Sequence, residues 1–376
     1  MNINVIGAGL TGAVASRLMA ESGYSVHVFE KRSHIGGNCF DEKTEEGITV
    51  QRYGPHIFHT NDQEAWNFCS RFTKFRPYQH RVLSYVDGQF VPFPINRDTL
   101  CQLFGVELSI MEVESFLKLE TEKSLIPVEP TNFREAVISQ VGEYLYTKMF
   151  REYTRKQWQT EPDHLAKEVA GRIPVRFNRD NRYFTDKYQG IPQEGYTKMI
   201  QNMLDHPNIT IEMDTEYTPD DDTDDFLIYT GRIDEYFHMK YGELNYRSVR
   251  FEFETYEGDY QTVGVVNYPN DYDFIRITEF KHFTGEKSDK TVILKEYPSS
   301  EGVPSYVVLD DRNMKLRTLY MDDVKNIEHQ HKALFIGRLA EYKYYNMDQV
   351  VSAALKRVGS LIDELKIIKE VENHVR

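Results

Sequence analysis

The chain has 376 residues, a formal net charge of −14 and three cysteines, Cys39, Cys69 and Cys101. That length carries more than one domain around a sizeable core, the negative charge excludes a nucleic-acid binder, which needs basic patches, and the scattered cysteines exclude a disulfide framework or zinc site. No run approaches about 18 consecutive apolar residues and no basic leader precedes the first strand, so the expectation is a cytoplasmic protein with neither signal peptide nor membrane insertion.

The first apolar run, Ile3 to Ile6, stops at Gly7-Ala8-Gly9-Leu10-Thr11-Gly12 and passes into an amphipathic helix bearing Leu10, Ala13, Val14 and Leu18. Glycine serves the tight turn at Gly7, close approach of a pyrophosphate at Gly9 and helix–strand packing at Gly12. A second apolar strand, Ser25 to Phe29, ends at Glu30, 18 residues after Gly12. A carboxylate there accepts hydrogen bonds from an adenosine ribose, the expected interval being about 20 residues. His56 and His59 follow a Tyr53-Gly54-Pro55 turn. No third ligand stands at metal-site spacing, so no metal is expected, and the pair is read either as structural or as lining a cofactor.

From Asp98 to Arg172 the pattern becomes helical, over Ile110 to Leu119, Glu135 to Val141 and Leu145 to Trp158. Phe150, Tyr153 and Trp158, with Arg155 and Lys156 between them, suit a nucleobase and its phosphates as well as they suit helix packing. Arg172 lies in a Gly-Arg-x-Pro turn, where ligand contact is expected. The acidic run 220–225 reads as a solvated loop. Four alternating segments, Ser248 to Glu254, Thr262 to Tyr268, Phe274 to Phe280 and Val292 to Tyr297, predict an antiparallel sheet. Phe226 to Tyr229 and Ala333 to Ile336 are short apolar runs stopped by glycine, as buried parallel strands are. A last helix runs from Met347 to about Ile368. Its N-terminus, just after Gly337-Arg338, suits an anion.

These elements give an α/β fold: a discontinuous, Rossmann-like doubly wound domain with an inserted helical domain and an inserted antiparallel sheet domain, a layout commoner in flavoproteins than in NAD dehydrogenases. The expected boundaries are 1–75, 198–240 and 312–376 for the dinucleotide domain, 76–97, 181–197 and 241–311 for the sheet domain, and 98–180 for the helical domain, with a mobile loop near 160–176.

Six stretches, Glu30 to Asn38, Tyr53 to Asp62, Tyr153 to Trp158, Arg172-Ile173-Pro174, Asp180 to Phe184 and Gly337 to Met347, resemble the prokaryotic UDP-galactopyranose mutases in order along essentially the whole chain. The resemblance implies bound FAD, active when reduced, and interconversion of UDP-galactopyranose and UDP-galactofuranose without net redox change. Flavin N5 would attack the anomeric carbon and expel UDP, the sugar would open as a flavin iminium and reclose through O4, and UDP would return. The residues implied as catalytic are Arg172, Arg276 and His59. Those implied for substrate are His80, Tyr153, Thr154, Trp158, Arg172, Tyr183, Phe184, Asn267, Arg276, Glu296, Tyr306 and Tyr344. The FAD set is Gly7, Gly9, Thr11, Gly12, Glu30, Lys31, Gly37, Asn38, His56, Ile57, Arg338, Asn346, Met347, Asp348, Gln349, Val350, Val351 and Ser352. NAD(P)H or another reductant, a homo-oligomeric assembly and a role in galactofuranose-containing polysaccharide or cell-wall synthesis accompany the resemblance.

His80 stands where many members have Asn, Asn346 where many have Asp, Met149 at a register often held by an aromatic, and Gln159 in place of a usual Gly. Three alternatives remain open: a mutase of a related nucleotide sugar, UDP-N-acetylgalactosamine or a dTDP-deoxy sugar; an amine-oxidase-like flavin oxidoreductase; and a nucleotide-sugar binder without chemistry.

Overall fold

The computed structural model describes residues 2–127, 129–172, 175–218, 225–330 and 332–375, without the side chains of 168, 171, 172, 369 and 371–375. Its first layer is a five-stranded sheet with the strand order Ile209–Glu212, Ser25–Phe29, Asn2–Ile6, Phe226–Tyr229, Ala333–Phe335, every pairing parallel. The inner strands Asn2–Ile6 and Phe226–Tyr229 and the strand Ala333–Phe335 are buried on both faces, whereas Ile209–Glu212 forms an exposed edge, and alternate residues of the buried strands divide between two cores. Phe226, Ile228 and Leu334 pack with the helices Leu10–Glu21, Tyr196–Leu204 and Met347–Val375. Leu227, Tyr229 and Phe335 pack on the other side with Tyr320 and Val324 of the helix Asp311–His329. Three distant stretches of chain thus share one sheet, and the doubly wound domain is discontinuous.

The second sheet has seven strands in the order Tyr306–Val307, Tyr246–Glu257, Lys290–Ser299, Arg276–Glu279, Val265–Asn267, Val82–Val86, Gln89–Phe93. Its pairings are antiparallel except the one joining Val265–Asn267 to Val82–Val86, which is parallel. Tyr188–Pro192 belongs to neither large sheet. It lies between Phe58–Thr60 and Phe75–Pro77 in a three-stranded antiparallel sheet, and an isolated bridge from Arg182 to Arg81 ties its approach to the seven-stranded sheet.

The inserted helical layer holds Arg97–Phe104, Val113–Glu122, Phe133–Leu145 and Arg151–Trp158 around Leu100, Leu117, Ile138, Leu145 and Phe150. The helix expected without a break from Leu145 to Trp158 contains a π-helical turn, Tyr146–Phe150. Such a turn inserts a residue and re-aims the next helical face, and it recurs at functional sites. The last helix continues past Ile368 to Val375, since no Gly or Pro stops it and Glu and Lys are good helix formers. Among the described residues no helix is long and apolar enough to cross a membrane.

Candidate functional site

The glycine fingerprint builds a turn closed to side chains. Gly7 has φ +100° and donates its N–H to Phe29 O at 2.8 Å. A Cβ on Gly12 would lie 1.9 Å from Gly7 O, and one on Gly37 would lie 3.1 Å from Gly9 Cα. The helix Leu10–Glu21 begins after Gly9 with no side-chain cap and no acidic residue in its first turn. Its first N–H groups therefore form an anion cradle. Glu30 is buried and accepts from Ala8 N at 2.7 Å and Arg32 N at 2.9 Å, which fixes its carboxylate beside the turn with lone pairs to spare for hydroxyl donors. Thr11 lies under the turn of Gly337, where a Cβ would meet its Oγ1 at 2.8 Å. Lys31 points outward to Glu235 at 3.8 Å. These residues fit a dinucleotide: the backbone approach, the uncapped helix and the acidic strand end are all in place.

The crevice opens toward a cleft of about 1040 Å³ between the three layers. Asn38 stands at its mouth, accepting from Arg32 Nη2 at 3.0 Å and donating to Pro304 O at 3.1 Å. Arg338, also on the wall, donates to Ser305 O. Asn346, Met347 and Gln349 bring the start of the last helix to the cleft, with Gln349 Oε1 capping Asn346 N at 2.9 Å. Asp348, Val350, Val351 and Ser352 do not line it. Val350 and Val351 are buried in the doubly wound core, and Ser352 Oγ donates to Asp62 Oδ2 and Asp348 O.

The opposite wall is a single row across five strands. Ser84 pairs with Asn267, Asn267 with Arg276, Arg276 with Glu296 and Glu296 with Phe251. Directly opposed residues share a face, and all five line the cleft. Arg276 Nε and Glu296 Oε1 lie 3.0 Å apart, yet neither atom has a hydrogen-bond partner among the described residues. Burial holds the Glu296 carboxyl above the usual range against the pull of Arg276. Burial is the largest single influence on Arg276 and works against its charge, but Glu296 with Tyr153, Tyr306 and Tyr183 together outweigh it and the guanidinium stays charged.

The helix Arg151–Trp158 presents Tyr153, Thr154, Gln157 and Trp158 to the cleft, one face of a helix by spacing. Lys156 points the other way, its Nζ donating to Tyr268 O at 2.8 Å, Tyr272 O at 2.9 Å and Phe274 O at 3.4 Å. Burial lowers its pKa to about 8. Tyr183 and Phe184 close the same end with their rings at 76°. Tyr306 and Tyr344 lie nearly parallel, centroids 6.2 Å apart, on the cleft wall. Burial raises the Tyr153, Tyr183 and Tyr306 phenols, so each is a hydrogen-bond donor at neutral pH.

Three histidines line the cleft. Burial lowers His56 to about 4 and His80 to about 3, so both are neutral imidazoles. His56 Nδ1 is 2.9 Å from Gly54 O, and His80 Nδ1 is 3.1 Å from the Tyr78 hydroxyl. His59 stacks on Phe184 at 3.6 Å, and its Nδ1 meets Asp186 Oδ2 at 2.8 Å. Ile57 completes this wall. The side chain of Arg172 lies outside the described residues, as do residues 173 and 174 of its turn and 220–224 of the acidic run.

Sequence reasoning missed Ser84, Phe251, Gln157, Arg176, Asp186 and Ser305, all on the cleft wall. Gln157 alone carried a signal, one turn past Tyr153 and Thr154. Among the described residues no group of three His, Cys, Asp or Glu is placed to hold a metal ion.

Residues 148–344 match the family model described as UDP-galactopyranose mutase, and residues 5–72 match an NAD(P)-binding Rossmann-like domain. The chain is 38% identical to a probable UDP-galactopyranose mutase of Klebsiella pneumoniae, covering 97% of this chain and 95% of that protein. It is 36% identical to a dTDP-fucopyranose mutase of Escherichia coli, covering 94% and 96%. A crystal structure of reduced UDP-galactopyranose mutase superposes with a TM-score of 0.74 at 17% identity, covering 96% of this chain and 95% of that one, a likeness of fold.

Proposed function

Because the chain belongs to the UDP-galactopyranose mutase family, we propose that it is a flavin-dependent isomerase interconverting UDP-galactopyranose and UDP-galactofuranose. The observation that carries this reading is the row from Ser84 to Phe251. It sets one half-buried, incompletely bonded guanidinium between Asn267 and Glu296, on a cleft whose wall also holds Asn38 and Arg338 of the dinucleotide side. FAD, held by the glycine turn, Glu30, Asn38, Arg338 and the start of the last helix, supplies in its reduced form the nucleophile for the anomeric carbon.

The chain's own residues bind, orient and neutralise. Arg276 offers its charge to the diphosphate, which stabilises UDP as it leaves and as it returns. Tyr306 and Tyr344 donate to the same oxygens, and Arg172 is assigned as the second cation of the clamp. Tyr153, Thr154, Trp158, Tyr183 and Phe184 make an aromatic and polar slot for uridine. Asn267, Glu296 and His80 face the sugar, and His56 stays neutral beside the cofactor. The loop near 160–176 closes over the ligand and keeps water from the activated sugar. The domain boundaries given above, a homo-oligomer, NAD(P)H or another reductant and a polysaccharide-forming consumer of the furanose belong to the same reading.

The 36% identity to a dTDP-fucopyranose mutase favours one second reading, a mutase of a dTDP-6-deoxy sugar. Discrimination at one hydroxyl rests on one or two pocket contacts. The test is anaerobic, dithionite-reduced protein given UDP-galactofuranose, UDP-N-acetylgalactosamine or dTDP-fucose in separate arms, with an oxidised control and chromatographic separation of products. Conversion of UDP-galactofuranose in the reduced arm alone is expected. Turnover of only another nucleotide sugar reassigns the substrate, and no turnover in any arm removes the mutase reading.

A further inference from the structure

His59 and Asp186 form a carboxylate–imidazole pair that no motif in the sequence announces. Strand Phe58–Thr60 pairs with Tyr188–Pro192, and that register carries the Asp186 carboxylate to His59 Nδ1, 2.8 Å away. The carboxylate is itself held. Asp186 Oδ1 accepts from Asn61 Nδ2 at 2.6 Å, and Asn61 Oδ1 accepts from Lys187 N at 2.9 Å. The ring of His59 is clamped flat on Phe184, with an interplanar angle of 12°.

A carboxylate only accepts hydrogen bonds, so the His59 nitrogen facing Asp186 carries a proton. In the neutral ring the other nitrogen, Nε2, is then an unprotonated acceptor. His59 and Asp186 both line the cleft. We propose that Asp186 is a positioning residue: through the Asn61–Asp186–His59 relay it locks His59 in the Nδ1–H tautomer, so that Nε2 accepts a hydrogen bond from an O–H or N–H donor bound in the cleft. This rests on the mutase reading for its kinetic consequence but not for the tautomer itself.

The relay makes the substitution Asp186→Asn informative, since it preserves shape and reverses a donor. Lys187 N fixes the Asn61 amide with Nδ2 toward residue 186. The new amide must therefore turn its oxygen to Asn61 and its NH2 to His59 Nδ1. That nitrogen becomes the acceptor and the proton moves to Nε2. Adding Asn61→Asp restores an acceptor at position 61, which turns the amide back and returns the Nδ1–H tautomer. A purely structural role for Asp186 predicts no such reversal.

The experiment is heteronuclear NMR of histidine-labelled, flavin-loaded protein at about pH 8, where an ordinary imidazole is neutral. His59 is assigned from the spectrum of His59→Gln. Expected is Nδ1–H in the native chain, Nε2–H in Asp186→Asn and Nδ1–H again in Asn61→Asp/Asp186→Asn. Titration with UDP-galactose in the oxidised protein and chemical reduction without sugar are separate arms. A shift of Nε2 in the first marks a sugar hydroxyl as the donor, and a shift in the second marks the reduced cofactor. In turnover of the reduced protein, Asp186→Asn lowers kcat about tenfold or more with little change in KM, as a wrong tautomer does elsewhere, and the double variant recovers most of it. A native Nε2–H tautomer, an unchanged tautomer in Asp186→Asn, or an Nε2 silent in both arms overturns the proposal. Absence of turnover in the native protein with the tautomers as expected removes the mutase reading and leaves the relay standing.

Discussion

Arg276 and Glu296 oppose each other on neighbouring antiparallel strands, 3.0 Å apart, with Glu296 1% exposed and neither facing atom completing a hydrogen bond. Such a pair gains Coulomb energy but does not recover the full cost of leaving water. An incoming anion supplies the acceptor that Arg276 Nε lacks, so the arrangement trades stability for a cation open to binding.

Removing one partner separates the two contributions. Arg276→Ala strands a buried carboxylate and is expected to cost about 3 to 5 kcal/mol, with UDP affinity down at least about tenfold. Glu296→Gln keeps the shape and the cation and is expected to leave UDP affinity intact. Arg276→Met/Glu296→Leu recovers most of the lost stability without recovering binding. Urea unfolding and UDP titration of the three variants check this, and equal stability losses in Arg276→Ala and the double variant would remove the stranded-charge argument.

The doubly wound sheet was readable because its signals are local: Gly7 to Gly12 and Glu30 mark the first unit, and Gly231 and Gly337 mark the later strand ends. The cleft wall was not. Ser84 and Phe251 reach the row only through strand register between distant segments, and Asn267, Arg276 and Glu296 came from family likeness. Asp186 depends on the pairing of Phe58–Thr60 with Tyr188–Pro192. The π-helical turn at Tyr146–Phe150 leaves the apolar spacing of a plain helix nearly intact, so periodicity passed over it.

Gly12→Ala tests the dinucleotide crevice. A Cβ would sit 1.9 Å from Gly7 O, a backbone atom that cannot swing aside. The variant is expected to purify without the visible absorbance of bound flavin and to melt lower than the native holoprotein. Ala at Gly359, where a Cβ meets nothing within 4 Å, is the control and is expected to retain full flavin occupancy.

His80 links stability to acid. Its pKa falls from 6.5 to about 3 on folding, first through burial and then through the charge of Arg276. A depressed imidazole binds its proton less well in the folded state, so its contribution is fully present above pH 6.5 and is lost as pH falls toward about 3. His80→Asn removes this loss. Urea midpoints at neutral pH and near pH 4 should show the native protein losing more than the variant, by on the order of 3 kcal/mol. Parallel losses in the two proteins would show that folding leaves the His80 pKa unshifted.

Lys156 holds one wall of the cleft from behind. Its ammonium ties the helix Arg151–Trp158 to the carbonyls of Tyr268, Tyr272 and Phe274, while Tyr153, Thr154, Gln157 and Trp158 face the cleft from that helix. Lys156→Met keeps the stem and leaves three carbonyls without their donor, at a cost of about 1 to 3 kcal/mol. The helix then loses its depth reference against the sheet, and the slot proposed for uridine widens. Weaker UDP binding and a raised KM are expected, with flavin content unchanged and kcat nearly so. Arg retains a charge but its planar fork fits three converging carbonyls poorly, so Lys156→Arg should fall between native and Met. A fall in kcat alone, with UDP affinity intact, would show that the helix contributes to the chemistry and not to nucleotide binding.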